Sequence, residues 1–192
     1  MKQDLRVSVT KQMIYKALLR LSENKTIDKI KVSELCTESG INRATFYRHY
    51  DSIQNILHEM ETALLQRMPR PDRPPQNREE VRSTLENICS YMYDNANVLK
   101  VLFLNRTDED MTWTLISFYQ ELLDHHKNQL FFSHLDEDAQ QIVITLFGGG
   151  CHSLFKKWIM GTIQKSPKEL AGTLCDILYF QEPFRSALML SK

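Results

Sequence analysis

The chain has 192 residues, 24 Lys/Arg against 24 Asp/Glu, and 42% hydrophobic residues. That is room for one large or two small domains, and the apolar content is ordinary, so a real core is possible. No apolar run approaches the ~18 residues of a membrane span, and the first residues, MKQDLRVSVTK, lack the apolar centre of a secretion signal, so a soluble cytoplasmic protein with no membrane partner is expected.

Residues 1 to 7 read as a flexible arm. Ser8 or Thr10 starts a first helix to about Ser22, with Ile14, Ala17, Leu18 and Leu21 on one stripe. A polar turn follows, anchored by Ile27 and Ile30. Lys31 to Tyr50, KVSELCTESGINRATFYRHY, reads as two short helices around a turn. Gly40 falls where the first must stop in a left-handed conformation, and Asn42 is a good N-cap for the second. Helix, glycine turn, helix is the outline of a helix-turn-helix. On the second helix Phe46 and Tyr50 share the inward side with the packing set Leu35 and Ile41. Ala44, Thr45, Tyr47 and Arg48 face outward, flanked by Arg43 and His49. Such a short, polar, basic face with one small residue suits a major groove.

Asp51-Ser52 caps a fourth helix carrying Ile53, Ile56, Leu57, Met60 and Leu64 to about Met68. Residues 69–78, PRPDRPPQNR, hold four of the six prolines and read as a connection between domains, either an ordered elbow or a loop. Val81, Leu85, Ile88, Cys89 and Met92 recur at helical spacing. Asn95 is expected to cap a short helix with Val98, Leu99 and Leu102. Thr107 or Asp108 starts another with Met111, Leu115, Phe118 and Leu122. Asp136 caps a long helix to about Met160, and Ser166-Pro167-Lys168-Glu169 is a capping box opening a last one through Leu170, Leu174, Ile177 and Leu178. No strand alternation or internal repeat is present, so the fold class is all-α with about nine helices.

Charge is unevenly spread. Residues 1–60 carry ten Lys/Arg and seven Asp/Glu, a net of +3, and the remainder is −3, so the basic excess sits with the helix-turn-helix. Cys36, Cys89, Cys151 and Cys175 lack metal-site spacing and read as reduced buried thiols, with a thiol redox sensor as the sharper alternative. Adjacent His125 and His126 beside Asp124 point about 100° apart and make a poor metal site. No phosphate loop, nucleophile elbow or zinc motif is present, so neither enzyme chemistry nor a cofactor or metal is expected.

The segment K-V-S-E-L-C-T-E-S-G-I-N-R-A-T-F-Y-R-H-Y resembles the reading domain of the TetR family of transcriptional regulators, whose usual pattern ends in A-G-V-S-x-G-T-[LF]-Y-x-[HY]-F. Ser39, Asn42, Ala44 and Tyr50 replace the usual Ala, Ser, Gly and Phe. The resemblance implies a helix-turn-helix domain over residues 8–68 (motif 31–50), homeodomain-like with three helices, and a helical regulatory and dimerisation domain over 79–180. It implies contact with double-stranded operator DNA by Lys31, Asn42, Arg43, Ala44, Thr45, Tyr47, Arg48 and His49. Arg43 and Thr45 would read bases, and Tyr47 and His49 would hold phosphate. The N-terminal end of the first helix, with Thr10, Lys11 and Gln12, would touch phosphate too, the alternative being a plain solvated helix start. Ile53 stands where the family usually has a phosphate-holding Lys, which leaves that contact without its cation.

The stretch L-F-G-G-G-x-x-x-L-F-K-K-W-I with S-P-K-E-L is similar to a C-terminal subgroup that includes regulators of dihydroxyacetone kinase genes. The family resemblance implies a homodimer, with Gly149, Leu154, Trp158, Leu174, Ile177 and Leu178 at the interface. Gly148-Gly149-Gly150 marks either that close helix contact or a kink. It also implies a small-molecule effector among Met92, Leu102, Phe103, Trp113, Phe118, Tyr119 and Phe147, residues that serve equally as plain core. The function implied is a homodimeric repressor released from its operator by that effector. The alternative is a transcription factor, such as an activator, whose C-terminal domain docks a partner protein.

Overall fold

The computed structural model describes residues 2–73, 75–111, 114 and 136–189, and leaves aside the side chains of 2–6, 144, 147 and 179–189. Its elements are α1 (Lys2–Ser22), a 3-10 turn (Ile27–Lys29), α2 (Val32–Ser39), α3 (Arg43–His49), α4 (Ile53–Gln66), α5 (Arg78–Asp94), α6 (Ala96–Asn105), α7 (Glu137–Ile159) and α8 (Pro167–Met189). A further helical turn lies at 108–111. Among the described residues there is no strand, and the fold is all-α.

Helix α1 begins at Lys2, several residues before the expected start, and the expected arm is helical backbone. Residues 2–10 contain neither Pro nor Gly, and Lys, Gln, Leu and Arg are good helix formers, so nothing stops propagation toward the N-terminus. The stripe Ile14, Ala17 and Leu18 is fully buried.

Two compact units emerge. The first comprises Met1–Gln66 and Asn97–Thr107, and the second Arg67–Ala96 and Asp108–Lys192. The core of the first unit is Ile14, Leu18, Leu35, Phe46, Ile56 and Leu57, with Ile27 and Ile30 pinning the turn before α2. Residues 97–107, most of α6, cluster with this unit. Asn105 at the end of α6 accepts the Ile27 amide at 2.9 Å, and Arg106 pairs with the buried carboxylate of Glu61 on α4.

In the second unit α5 packs against α8. The two run antiparallel: Arg78 meets Asp176 at 2.5 Å, while Arg82, one turn on, lies over Gly172. Asn77 caps α5 by accepting the Glu80 amide at 2.9 Å. The proline-rich segment is fastened there, since Arg73 makes a two-pronged pair with Glu80, whose carboxylate also accepts the Gln76 amide. Asn95 does not cap α6 as expected. It closes α5, and its side-chain amide donates to the Tyr91 carbonyl at 2.8 Å. The reason is spacing: a single residue separates the helices, which leaves no extended residue to act as an N-cap.

Asp136 caps α7 through the Ala139 amide, and the capping box before α8 forms in full, with Ser166 and Glu169 exchanging hydrogen bonds. Helix α7 runs unbroken through its three glycines. The expected helix through Leu115, Phe118 and Leu122, and the pair His125-His126, lie outside the described residues.

Candidate nucleic-acid interface

The turn between α2 and α3 follows from Gly40. It takes φ +70°, a conformation that strains any side chain. Its amide bonds back to Thr37, and the Ile41 amide reaches the Cys36 carbonyl at 3.0 Å, which together make a Schellman closure. The buried Ser39 hydroxyl returns to the Leu35 carbonyl at 2.6 Å, which lets a serine stand where an apolar residue would be usual. Two residues past the glycine, the Asn42 side chain accepts the Thr45 amide at 2.7 Å and starts α3.

On α3, Phe46 is fully buried, and Tyr50, which ends the helix, is almost so. Asn42, Arg43, Ala44, Tyr47 and Arg48 are exposed, while Thr45 and His49 are half-buried at the margins. Tyr47 is 53% exposed, and its ring stands edge-on to Phe46 with centroids 5.3 Å apart, so the outward tyrosine is braced by the inward phenylalanine. Lys31 is the exposed N-cap residue of α2. All eight residues expected at the DNA face therefore lie on α3, its cap, or the start of α2. Ile53, at the position without the phosphate-holding lysine, is buried in the core of this unit.

A polar cluster that sequence reasoning does not reveal fixes the far end of α3. The Tyr50 hydroxyl donates to that of Tyr15 at 3.2 Å, and the Lys11 ammonium lies 2.7 Å from Glu59 and 5.3 Å from the centre of the Tyr50 ring. Burial pushes the Tyr50 phenol far above its usual range, and the hydrogen bond to Tyr15 adds to it. Burial also raises the Glu59 carboxyl, but the hydrogen bond from Lys11 and the neighbouring Tyr15 and Tyr50 hydroxyls outweigh it, and the net shift is downward. Lys11, expected near phosphate, is thus engaged by Glu59. Residues 11 and 59 share no local spacing, so no sequence pattern could have paired them.

A second set of pairs offsets the acidic residues of α2. Arg20 meets Glu38 at 3.0 Å, and Lys25 meets Glu34 at 2.5 Å. Burial raises the Cys36 thiol, with the Arg43 charge pulling slightly the other way. None of the four cysteines forms a disulfide; Cys36, Cys89 and Cys175 are buried as expected, and Cys151 is only half-buried. Among the described residues, no cluster of three or more His, Cys, Asp or Glu is arranged to hold a metal ion, and no helix is long and apolar enough to cross a membrane.

The expected pocket and interface residues divide as follows. Leu102 and Phe103 are buried in the first unit and Met92 in the second. Trp113, Phe118 and Tyr119 lie outside the described residues, as does the side chain of Phe147. Trp158 is only 5% exposed within a single chain, against Tyr93 and Phe155, and its indole N–H donates to the Lys165 carbonyl at 2.8 Å. Its ring is covered within its own unit, which leaves it little surface to offer the expected dimer interface. Leu154 and Leu174 are half-buried, and Ile177 (56%) and Leu178 are exposed. A Cβ placed on Gly149 or Gly150 would meet nothing within 4 Å, so among the described residues their small size serves no packing inside this chain. Ile142 and Leu146 (70% exposed) lie on the same stripe of α7 as Gly149.

Comparison with known proteins agrees with this fold. Residues 79–179, over half of the chain, match the TetR C-terminal family described as "Transcriptional regulator C-terminal region". Lin0861 from Listeria innocua is similar in structure, with a TM-score of 0.61, 18% identity and 93% of each chain covered. DhaS, a dihydroxyacetone kinase operon activator, is similar at a TM-score of 0.60 and 16% identity, with 91% of this chain and 97% of that chain covered. Comparison with the curated proteins gives no match. The chain belongs to the TetR family of transcriptional regulators.

Proposed function

We propose that the chain is a sequence-specific DNA-binding regulator that acts as a homodimer, with residues 8–68 as the reader and 79–180 as the regulatory and dimerisation part. The observation that carries this reading is α3 itself: a helix capped by Asn42, anchored by Phe46 and Tyr50, and presenting Arg43, Ala44, Tyr47 and Arg48 to solvent. Arg43 and Thr45 meet base edges, with Ala44 allowing close approach. Tyr47, His49, Arg48 and Lys31 hold phosphate, and Asn42 holds the helix start against the groove.

One seven-residue helix touches too few base pairs to find a genomic site, and a two-fold dimer doubles them at a fixed spacing. The exposed Ile142 and Leu146, on the stripe of the open Gly149, and the exposed Ile177 and Leu178 on α8 are apolar side chains that a second copy would cover. Replacing Leu146 with Asp is expected to give a monomer by sedimentation and to weaken operator binding. A monomeric variant that binds operator as well as the parent contradicts the dimer requirement.

The regulator acts as a repressor that leaves its operator when a small molecule binds the C-terminal part. A second reading, an activator docking a partner protein, is favoured by one observation: the structurally similar DhaS is named an operon activator. A reporter gene downstream of the bound site separates them. Deleting the regulator raises expression under the first reading and lowers it under the second.

A further inference from the structure

A cation and a helix N-terminus meet at one carboxylate in the first unit. Glu34 is the third residue of α2, whose N-cap residue, Lys31, makes no side-chain cap of its own. Glu34 therefore stands as an acidic side chain in the first turn of a helix whose start has no side-chain cap. The same carboxylate takes the Lys25 ammonium at 2.5 Å. Its pKa is lowered, first by the hydrogen bond from Lys25, with burial opposing, and then by the Lys25 charge and the Lys31 N–H. The positive end of α2 favours an anion at this position as well.

This is the chemistry that binds phosphate at helix N-termini, already filled by a side chain of the same chain. In a helix-turn-helix the first helix of the pair crosses the DNA backbone, so the start of α2 is where phosphate arrives. Lys25 sits on the turn just before, 45% exposed and within reach of an outside anion. A carboxylate there competes with phosphate for the same partners.

We propose that Glu34 is a built-in competitor for DNA phosphate, holding Lys25 out of the set of cations that neutralise the backbone and so restraining sequence-independent binding. The proposal rests on the DNA-reading function above. It gives Glu34 a role in specificity, because a reader with fewer phosphate contacts depends more on the bases that α3 meets.

Binding of the full-length protein to a mixed-sequence duplex, followed between about 50 and 200 mM salt, tests it through the slope of log K against log salt. Glu34→Gln keeps the size and polarity of the side chain in the first turn of α2 but releases Lys25. Its slope is expected to steepen by about 0.9 per reading head engaged. Lys25→Met alone is expected to leave the slope unchanged, because Lys25 contributes nothing while Glu34 holds it. In the double variant E34Q/K25M the slope returns to that of the parent. An unchanged slope in E34Q overturns the proposal. So does a steepening that persists in the double variant, which would mean general charge removal, or a shallower slope in K25M alone, which would mean that Lys25 already meets phosphate. If the parent binds no duplex at any salt, the DNA-reading function itself falls, and the proposal with it.

Discussion

The Ile27 amide donates to the Asn105 carboxamide at 2.9 Å, joining the turn that precedes α2 to the last residue of α6 across 78 positions of chain. The same carboxamide donates from its nitrogen to the Val101 carbonyl, so its orientation is set by its own helix. This side chain ties α6 to the first unit, alongside the Arg106–Glu61 pair one residue on. Replacing Asn105 with Ala leaves the partly buried Ile27 N–H without this acceptor and is expected to cost ~1–3 kcal/mol in denaturant unfolding. A loss within the ~0.5 kcal/mol of an ordinary surface substitution would show that the bond contributes nothing net.

The cap on α3 supports a second expectation. Asn42→Ala removes the acceptor of the Thr45 amide, and caps of this kind are worth about 0.5–2 kcal/mol. Because α3 has only seven residues, the loss falls on its whole length. Affinity for the operator should drop along with stability. Wild-type affinity in a clearly destabilised variant would mean that the groove itself rebuilds the helix start.

Base reading and phosphate holding separate by their effect on sequence preference. Arg43→Ala is expected to relax preference at one base pair of each half-site by ~1–3 kcal/mol. Tyr47→Phe, which keeps the ring against Phe46 and removes only the hydroxyl, should weaken all sequences alike. Equal losses on operator and random duplex for the Arg43 variant would defeat its assignment as a base reader.

Acid should loosen the start of α5. The Glu80 carboxyl is held at about 2, below its usual 4.5, first by hydrogen bonds from Arg73 and then by the Gln76 amide. A group whose folded pKa is depressed gives stability that is present above its unfolded pKa and lost as pH falls through the folded one. The contribution of this clasp is therefore whole above pH 4.5 and fades between there and about 2. Arg73→Met should shrink that acid-sensitive part, read from amide exchange at the first turn of α5. An unchanged pH profile would show that Arg73 does not hold the carboxylate in solution.

Much of this architecture is legible in the amino-acid order because its determinants are local. Gly40 with its positive φ, the Asn42 cap, the Asp136 cap and the Ser166–Glu169 box each depend on residues within a few positions of one another. The burial of Phe46 and Tyr50 follows from helical spacing alone. What the order does not reveal depends on tertiary neighbours. Lys11 could not be matched to Glu59, nor Asn105 to Ile27, without the fold that brings them together. Trp158 is ambiguous for a related reason: a large aromatic on an apolar stripe looks the same whether the stripe faces another helix of the chain or a second copy. The start of α1 is hard to place because Ser8 and Thr10, which suit a cap by residue type, lie inside the helix.

The central claim is that α3 reads DNA as half of a symmetric pair. Selection of bound sequences from a random duplex library, at a stated salt concentration, tests it most directly. The account predicts enrichment of a two-fold symmetric site, with half-sites at a fixed spacing. Weak, salt-sensitive binding with no enriched sequence would contradict it.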